Sequence, residues 1–164
     1  MNSGYSGIAA WMLDDAMHSN GDAGNIKDIK LWGMWNILGE KVFHDASQVE
    51  IRPWYYTWAL MCRYFPTGTN ILKVSGDRSH GVFVAAGEYQ GNYVVAAVNV
   101  QDNDRNIAIS LPAPLDNALF YVYEKNRLTD ANKQPVPAKS NLNVGKKFKT
   151  TLHANSFVLL TNIK

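Results

Sequence analysis

The sequence predicts a mainly β chain, with an antiparallel β-sandwich over 69–164 preceded by a partial βα unit over 1–68. Three observations carry this reading. Apolar residues of the second part recur at every other position, the signature of half-buried strands. The first part instead holds one continuous apolar run and one helical repeat. All five tryptophans, at positions 11, 32, 35, 54 and 58, fall in the first part. Charge shifts too: residues 1–68 hold five Lys/Arg against seven Asp/Glu, and residues 69–164 hold eleven against seven. The cluster Pro66-Thr67-Gly68-Thr69 has the turn chemistry that ends a helix and opens a new segment, and the boundary is placed there.

Within the first part, Gly7-Ile8-Ala9-Ala10-Trp11-Met12-Leu13 reads as a strand buried on both faces, as parallel strands are. His18 to Asn25 is rich in small and polar residues and reads as an irregular loop of the kind that carries function on a rigid scaffold. Trp32 and Trp35, three residues apart, fit one face of a short helix or a packed loop. Ile51 to Phe65 is the clearest helix, with Pro53 suited to its first turn and Tyr55, Trp58, Cys62 and Phe65 on one apolar face. A strand, a loop and a helix make one βα unit, which cannot close a sheet without partner strands.

In the second part, Val94, Ala96, Val98 and Val100 share one strand face, and Ile107, Ile109 and Leu111 share another. Val82 to Ala86 and Tyr93 to Val100 flank a hairpin turn at Glu88-Tyr89-Gln90-Gly91-Asn92. Phe120 to Tyr123, Phe148 to Leu152 and Phe157 to Thr161 bring the total to six or seven strands. Pro112, Pro114, Pro135 and Pro137 mark loops or edges, where a missing N–H is tolerated. Short strands with turns every ten residues or so predict a sandwich.

The composition narrows the function classes. With 46% hydrophobic and 18% charged residues the 164-residue chain is globular, and a net charge of +2 with scattered basic residues does not imply nucleic acid. No apolar run approaches the ~20 residues of a membrane helix, and Met1 to Gly4 has no signal-peptide character; an export signal of a longer precursor belongs upstream. The single Cys62 excludes an internal disulfide and reads as a buried, inert thiol. There is no phosphate loop, nucleophile elbow or zinc spacing, so no cofactor and no metal are expected.

The chemistry-bearing candidates gather around the apolar run. Trp11 can lay its ring on the apolar face of a sugar while its N–H donates a hydrogen bond, or it can pack in a core. Asp14 and Asp15 are the residue type that glycoside hydrolysis uses in pairs, yet neighbours on a strand point to opposite faces and are ill placed to flank one bond. One of them as a hydroxyl-binding group, or as a helix or turn cap, is the better reading. His18 sits with Asp14, Asp15 and Asp22, without the spacing of a metal site. Tyr89, in the hairpin, is the best exposed aromatic of the second part for a glycan-binding alternative.

Gly4-Tyr5-Ser6-Gly7-Ile8-Ala9-Ala10-Trp11-Met12-Leu13-Asp14-Asp15 resembles the eighth strand of clan A glycoside hydrolases, whose (β/α)8 barrels end in a small-residue strand with a substrate-facing tryptophan. Ile51 to Gly68 is similar to the eighth helix and its exit, and Leu152 to Thr161 to the closing strand of the β-sandwich that follows many such barrels. The resemblance implies a (β/α)8-barrel end, with Trp11, Asp14, Asp15 and His18 on the substrate-binding rim at the C-terminal ends of the strands. It implies glutamates on the fourth and seventh strands as acid/base and nucleophile; both would precede Met1, so the chain is expected to carry no catalytic residue. It further implies a polysaccharide or oligosaccharide substrate, a secreted or periplasmic parent, and a barrel portion as partner. Exposed strand edges and apolar surface make self-association of this piece the expectation. A carbohydrate-binding module and an immunoglobulin-like interaction domain are the alternatives.

Overall fold

The computed structural model describes residues 8–10, 13, 33–35, 44, 46, 51–76, 81–124 and 134–164. It is mainly β, with eight named strands and one named helix among the described residues. The chain divides into two compact units, Gly7–Trp58 and a unit built from Ala59–Lys164, with the division falling inside the helix.

In the first unit, Arg52 ties two segments together. Its backbone N–H donates to the Met34 carbonyl at 2.7 Å and its guanidinium to the Gly33 carbonyl at 2.7 Å, beside a bridge between Trp35 and Ile51. Met34 is buried there. The described part of the apolar run departs from the expected buried strand: Ile8, Ala9 and Ala10 carry no strand structure, and Ile8 and Leu13 are 57% and 61% exposed. A parallel strand is buried only when neighbouring strands and helices cover it, and among the described residues no strand pairs with Ile8, Ala9 or Ala10.

Helix α1, Pro53–Tyr64, begins where Pro53 predicts, because a first-turn residue has no intrahelical acceptor for its N–H and proline has none to offer. It stops at a turn in which the Thr69 N–H and hydroxyl both donate to the Pro66 carbonyl and Gly68 takes φ 90°, as expected of Pro66 to Thr69. The buried stripe differs from the predicted one. Tyr56, Leu60 and Tyr64 are buried, Tyr55 and Trp58 are half-buried, and Cys62 is exposed rather than a core thiol. Residues four apart stack along one face of a helix, and the Tyr56 stripe lies about 100° from that of Tyr55. Apolar residues occupy both stripes, so periodicity alone does not fix the phase.

The second unit holds two antiparallel sheets. The larger runs in the order β1-β2-β3-β8-β5-β6, from β1 (Asn70–Leu72), β2 (Val82–Tyr89), β3 (Asn92–Asn99), β5 (Leu115–Tyr123), β6 (Lys139–Val144) and β8 (Ser156–Thr161). The smaller pairs β4 (Arg105–Ser110) with β7 (Lys147–Leu152). The predicted hairpin is tighter than expected: Tyr89 pairs with Asn92 across Gln90 and Gly91, whose φ values of 50° and 78° fit the primed turns that follow strand twist.

The central strands are buried on both faces, where half-buried strands were expected. Val94, Ala96 and Leu159 pack with Leu60 and Tyr64 of α1. Val95, Ala97, Val158 and Leu160, on the opposite face, form a second core with Leu111, Leu115, Phe120 and Leu152, against which Ile107, Ile109 and Phe148 pack. Helix on one side and small sheet on the other exclude water from both faces, which explains the near-continuous apolar sequence of β8.

Candidate functional site

Trp11, Asp14, Asp15 and His18 all lie outside the described residues. The described residues bring together two polar constellations and one cleft, none of which sequence reasoning singled out.

The first constellation is buried between α1 and the large sheet. The hydroxyls of Tyr64 and Tyr121 meet at 2.6 Å, with ring centroids 5.5 Å apart. Burial, and then the hydrogen bond between the Tyr121 hydroxyl and Tyr64, push the Tyr121 phenol well above its ordinary range, so it stays protonated at any working pH. A neutral hydroxyl pair closed on itself is a structural clasp and offers no base.

A second network joins the β3–β4 loop to the β7–β8 loop. The fully buried Asn99 amide donates to the carbonyls of Asn103, His153 and Leu152 at 2.8, 3.0 and 3.3 Å, and its oxygen accepts the Gln101 N–H at 3.1 Å. At its rim the Asp104 carboxylate faces His153 Nδ1 at 2.9 Å and accepts the Ala154 N–H at 2.9 Å. The hydrogen bond from His153, followed by that from Ala154, holds the Asp104 carboxyl below its usual value; Asp104 in turn raises the His153 imidazole. Among the described residues no three His, Cys, Asp or Glu side chains are placed to hold a metal ion.

Tyr89 does not present a free platform. It is half-buried and packs at the edge of the cluster around Leu60 and Tyr64. Glu88 beside it is also engaged, accepting from Asn70 at 2.9 Å and from the Gly91 N–H at 2.6 Å; these bonds, Asn70 first, lower its carboxyl.

The surface opens where the two sheets part. β6 is the last strand of the large sheet and β7 belongs to the small one, and the cleft between them encloses about 280 Å³. Phe120 and Phe148, edge to face at 5.2 Å, contribute to its wall with Asn143, and Lys139, Lys147 and Lys149 also line it. Scattered along the sequence, these lysines are gathered by folding. The signal that points to them is the run from 134 to 164, which holds five lysines and no Asp or Glu.

The arrangement of sheets and helix is shared with solved structures. The chain carries a fold found in family 30 glycoside hydrolases. A family 30 subfamily 8 xylanase from Clostridium acetobutylicum superposes with a TM-score of 0.61 at 15% identity over 79% of this chain. The catalytic domain of the family 30 xylanase C from Talaromyces cellulolyticus gives 0.58 at 22% identity over 80%. A family 30 endoxylanase from Clostridium papyrosolvens C71 gives 0.54 at 15% identity over 70%. This chain spans only 27–30% of the length of those three. No protein-family model and no curated protein matches the sequence. The glycoside hydrolase resemblance read from the sequence is thus matched at the level of fold.

Proposed function

We propose that this chain is the C-terminal part of a glycoside hydrolase that cleaves a xylan-type polysaccharide, and that its two-sheet unit is an accessory domain stabilising a barrel. The observation that supports the reading is the shared fold with three xylanases, of each of which the chain spans less than a third. Catalysis then depends on residues outside this chain, and Trp11, Asp14, Asp15 and His18 contribute to a sugar-binding rim. The partner is the barrel portion. An apolar row on the α1 side of the large sheet, formed across β2, β3, β8 and β5 by Phe83, Val98, Phe157 and Tyr123, supports such docking, with Phe83 63% exposed. The isolated chain associates with itself through such surface.

The test compares reducing-sugar release from xylan by the 164-residue chain and by the product of the reading frame extended upstream. Activity in the longer product alone supports the proposal; activity of the chain alone, or none in either, overturns it. Size-exclusion of the chain checks association: a monodisperse monomer refutes that part, and Phe83→Ser is expected to shift the profile toward monomer.

A further inference from the structure

We infer that the cleft between β6 and β7 binds a carboxylate-bearing polysaccharide segment, such as a run of uronic acid residues. The charge is the first argument. Lys139, Lys147 and Lys149 line the cleft, none of its lining residues is Asp or Glu, and among the described residues no ion pair engages these three ammonium groups. Like charges gathered without a counter-charge repel one another, and an anion spanning them relieves that repulsion.

The spacing of the charges narrows the anion. Lys147 and Lys149 are two residues apart on β7, so they project on the same side about 7 Å apart along the strand. Lys139, on β6 and paired with Phe120 in the β5–β6 register, also lines the cleft. Charges spread in this way suit carboxylates distributed along a chain better than one compact phosphate. The cleft has no arginine, whose planar fork is the usual means of holding phosphate. Phe148 packs into the core with Phe120, on the side of β7 opposite Lys147 and Lys149, so neither ring projects as the stacking platforms on which nucleic-acid bases rest. Asn143 and Thr150 add hydroxyl-binding groups at the same cleft. The choice of a glycan among polyanions rests on the glycoside hydrolase reading above; the charge and shape of the cleft do not.

Isothermal titration of the 164-residue chain with oligogalacturonate tests this. Because the whole chain is basic, the cleft is separated from net charge by two double variants that each remove two lysines. Lys147→Ser with Lys149→Ser alters the cleft; Lys73→Ser with Lys164→Ser alters exposed lysines elsewhere. The cleft variant is expected to weaken binding about tenfold and the control less than about twofold. Lys147→Arg with Lys149→Arg is expected to retain binding. Equal losses in the two serine variants, no binding by the parent chain, or tighter binding of double-stranded DNA than of oligogalacturonate overturns the inference. Should the cleft variant fail to fold, amide shift changes on adding oligogalacturonate to the parent chain decide: they are expected at 139–150, and shifts confined to other strands overturn it. Xylan hydrolysis by the longer product is read separately, so either proposal can fail without the other.

Discussion

The hydroxyl oxygens of Tyr64 and Tyr121 meet 2.6 Å apart where helix α1 lies on the large sheet, with both side chains buried. Removing one hydroxyl leaves the other buried without its partner. Tyr64→Phe or Tyr121→Phe is therefore expected to destabilise the chain by about 1–3 kcal/mol, and the double change to cost less than the sum of the two. Urea unfolding of the four proteins checks this; strict additivity overturns it. The Tyr121 phenol is raised above its ordinary 10.0, so its contribution is complete below that pH and is lost as pH climbs through the raised folded value.

Asn99 closes the other end of the sheet. Four hydrogen bonds converge on one fully buried amide: its two N–H groups are shared among the carbonyls of Asn103, His153 and Leu152, the last residue of β7, and its oxygen accepts from Gln101. Asn99→Leu keeps the approximate volume but strands those groups, with an expected loss of about 3 kcal/mol. Hydrogen exchange locates the effect: amides of the 101–104 and 152–156 loops are expected to exchange faster, and faster exchange confined to β1 and β2 refutes the role.

The parts legible in the sequence are those whose pattern answers to local physics. Pro53 marks the start of α1, Pro66 to Thr69 its end, and the alternation of Ile107 and Ile109 a strand with one face on the core. What was not legible depends on partners distant in sequence. β6 reads Lys-Ser-Asn-Leu-Asn-Val, a polar stretch with little strand propensity, and forms because β5 offers it an edge. Burial of both faces of β3 requires α1 on one side and the small sheet on the other. The stripe Tyr56, Leu60 and Tyr64 wins over Tyr55 and Cys62 through tertiary packing, since both stripes are apolar. The lysine cleft needs β6 and β7, which pair with different strands, to end side by side.

Gly87 is another such long-range requirement. A Cβ there would lie 2.6 Å from Thr69 Cγ2 and 3.2 Å from the Phe65 ring, because the turn after α1 presses on β2 at that position. Gly87→Ala is expected to cost about 1–3 kcal/mol through overpacking. Thermal unfolding provides the measure, and Thr69→Ser beside Gly87→Ala, which removes the clashing methyl, is expected to recover part of the loss. A Gly87→Ala chain as stable as the parent would show that the turn does not hold this approach.

The His153 and Asp104 pair sets a pH window at the exposed rim of the Asn99 network. The imidazole is raised from 6.5, chiefly by its hydrogen bond to Asp104, so its contribution is fully present below 6.5 and is lost as pH rises through the raised folded value. The carboxyl is lowered from 3.8, chiefly by the same bond, so its contribution is present above 3.8 and is lost as pH falls through the lowered folded value. Between those limits both groups are charged and the pair is strongest. Solvent exposure of both side chains, 53% and 57%, keeps the effect small and sensitive to salt. NMR titration of the His153 ring reads it directly: Asp104→Asn, which keeps an acceptor for the Ala154 N–H but removes the charge, is expected to return the imidazole toward its ordinary value. The same midpoint in parent and variant would mean that Asp104 does not govern His153, and that the raised value has another source.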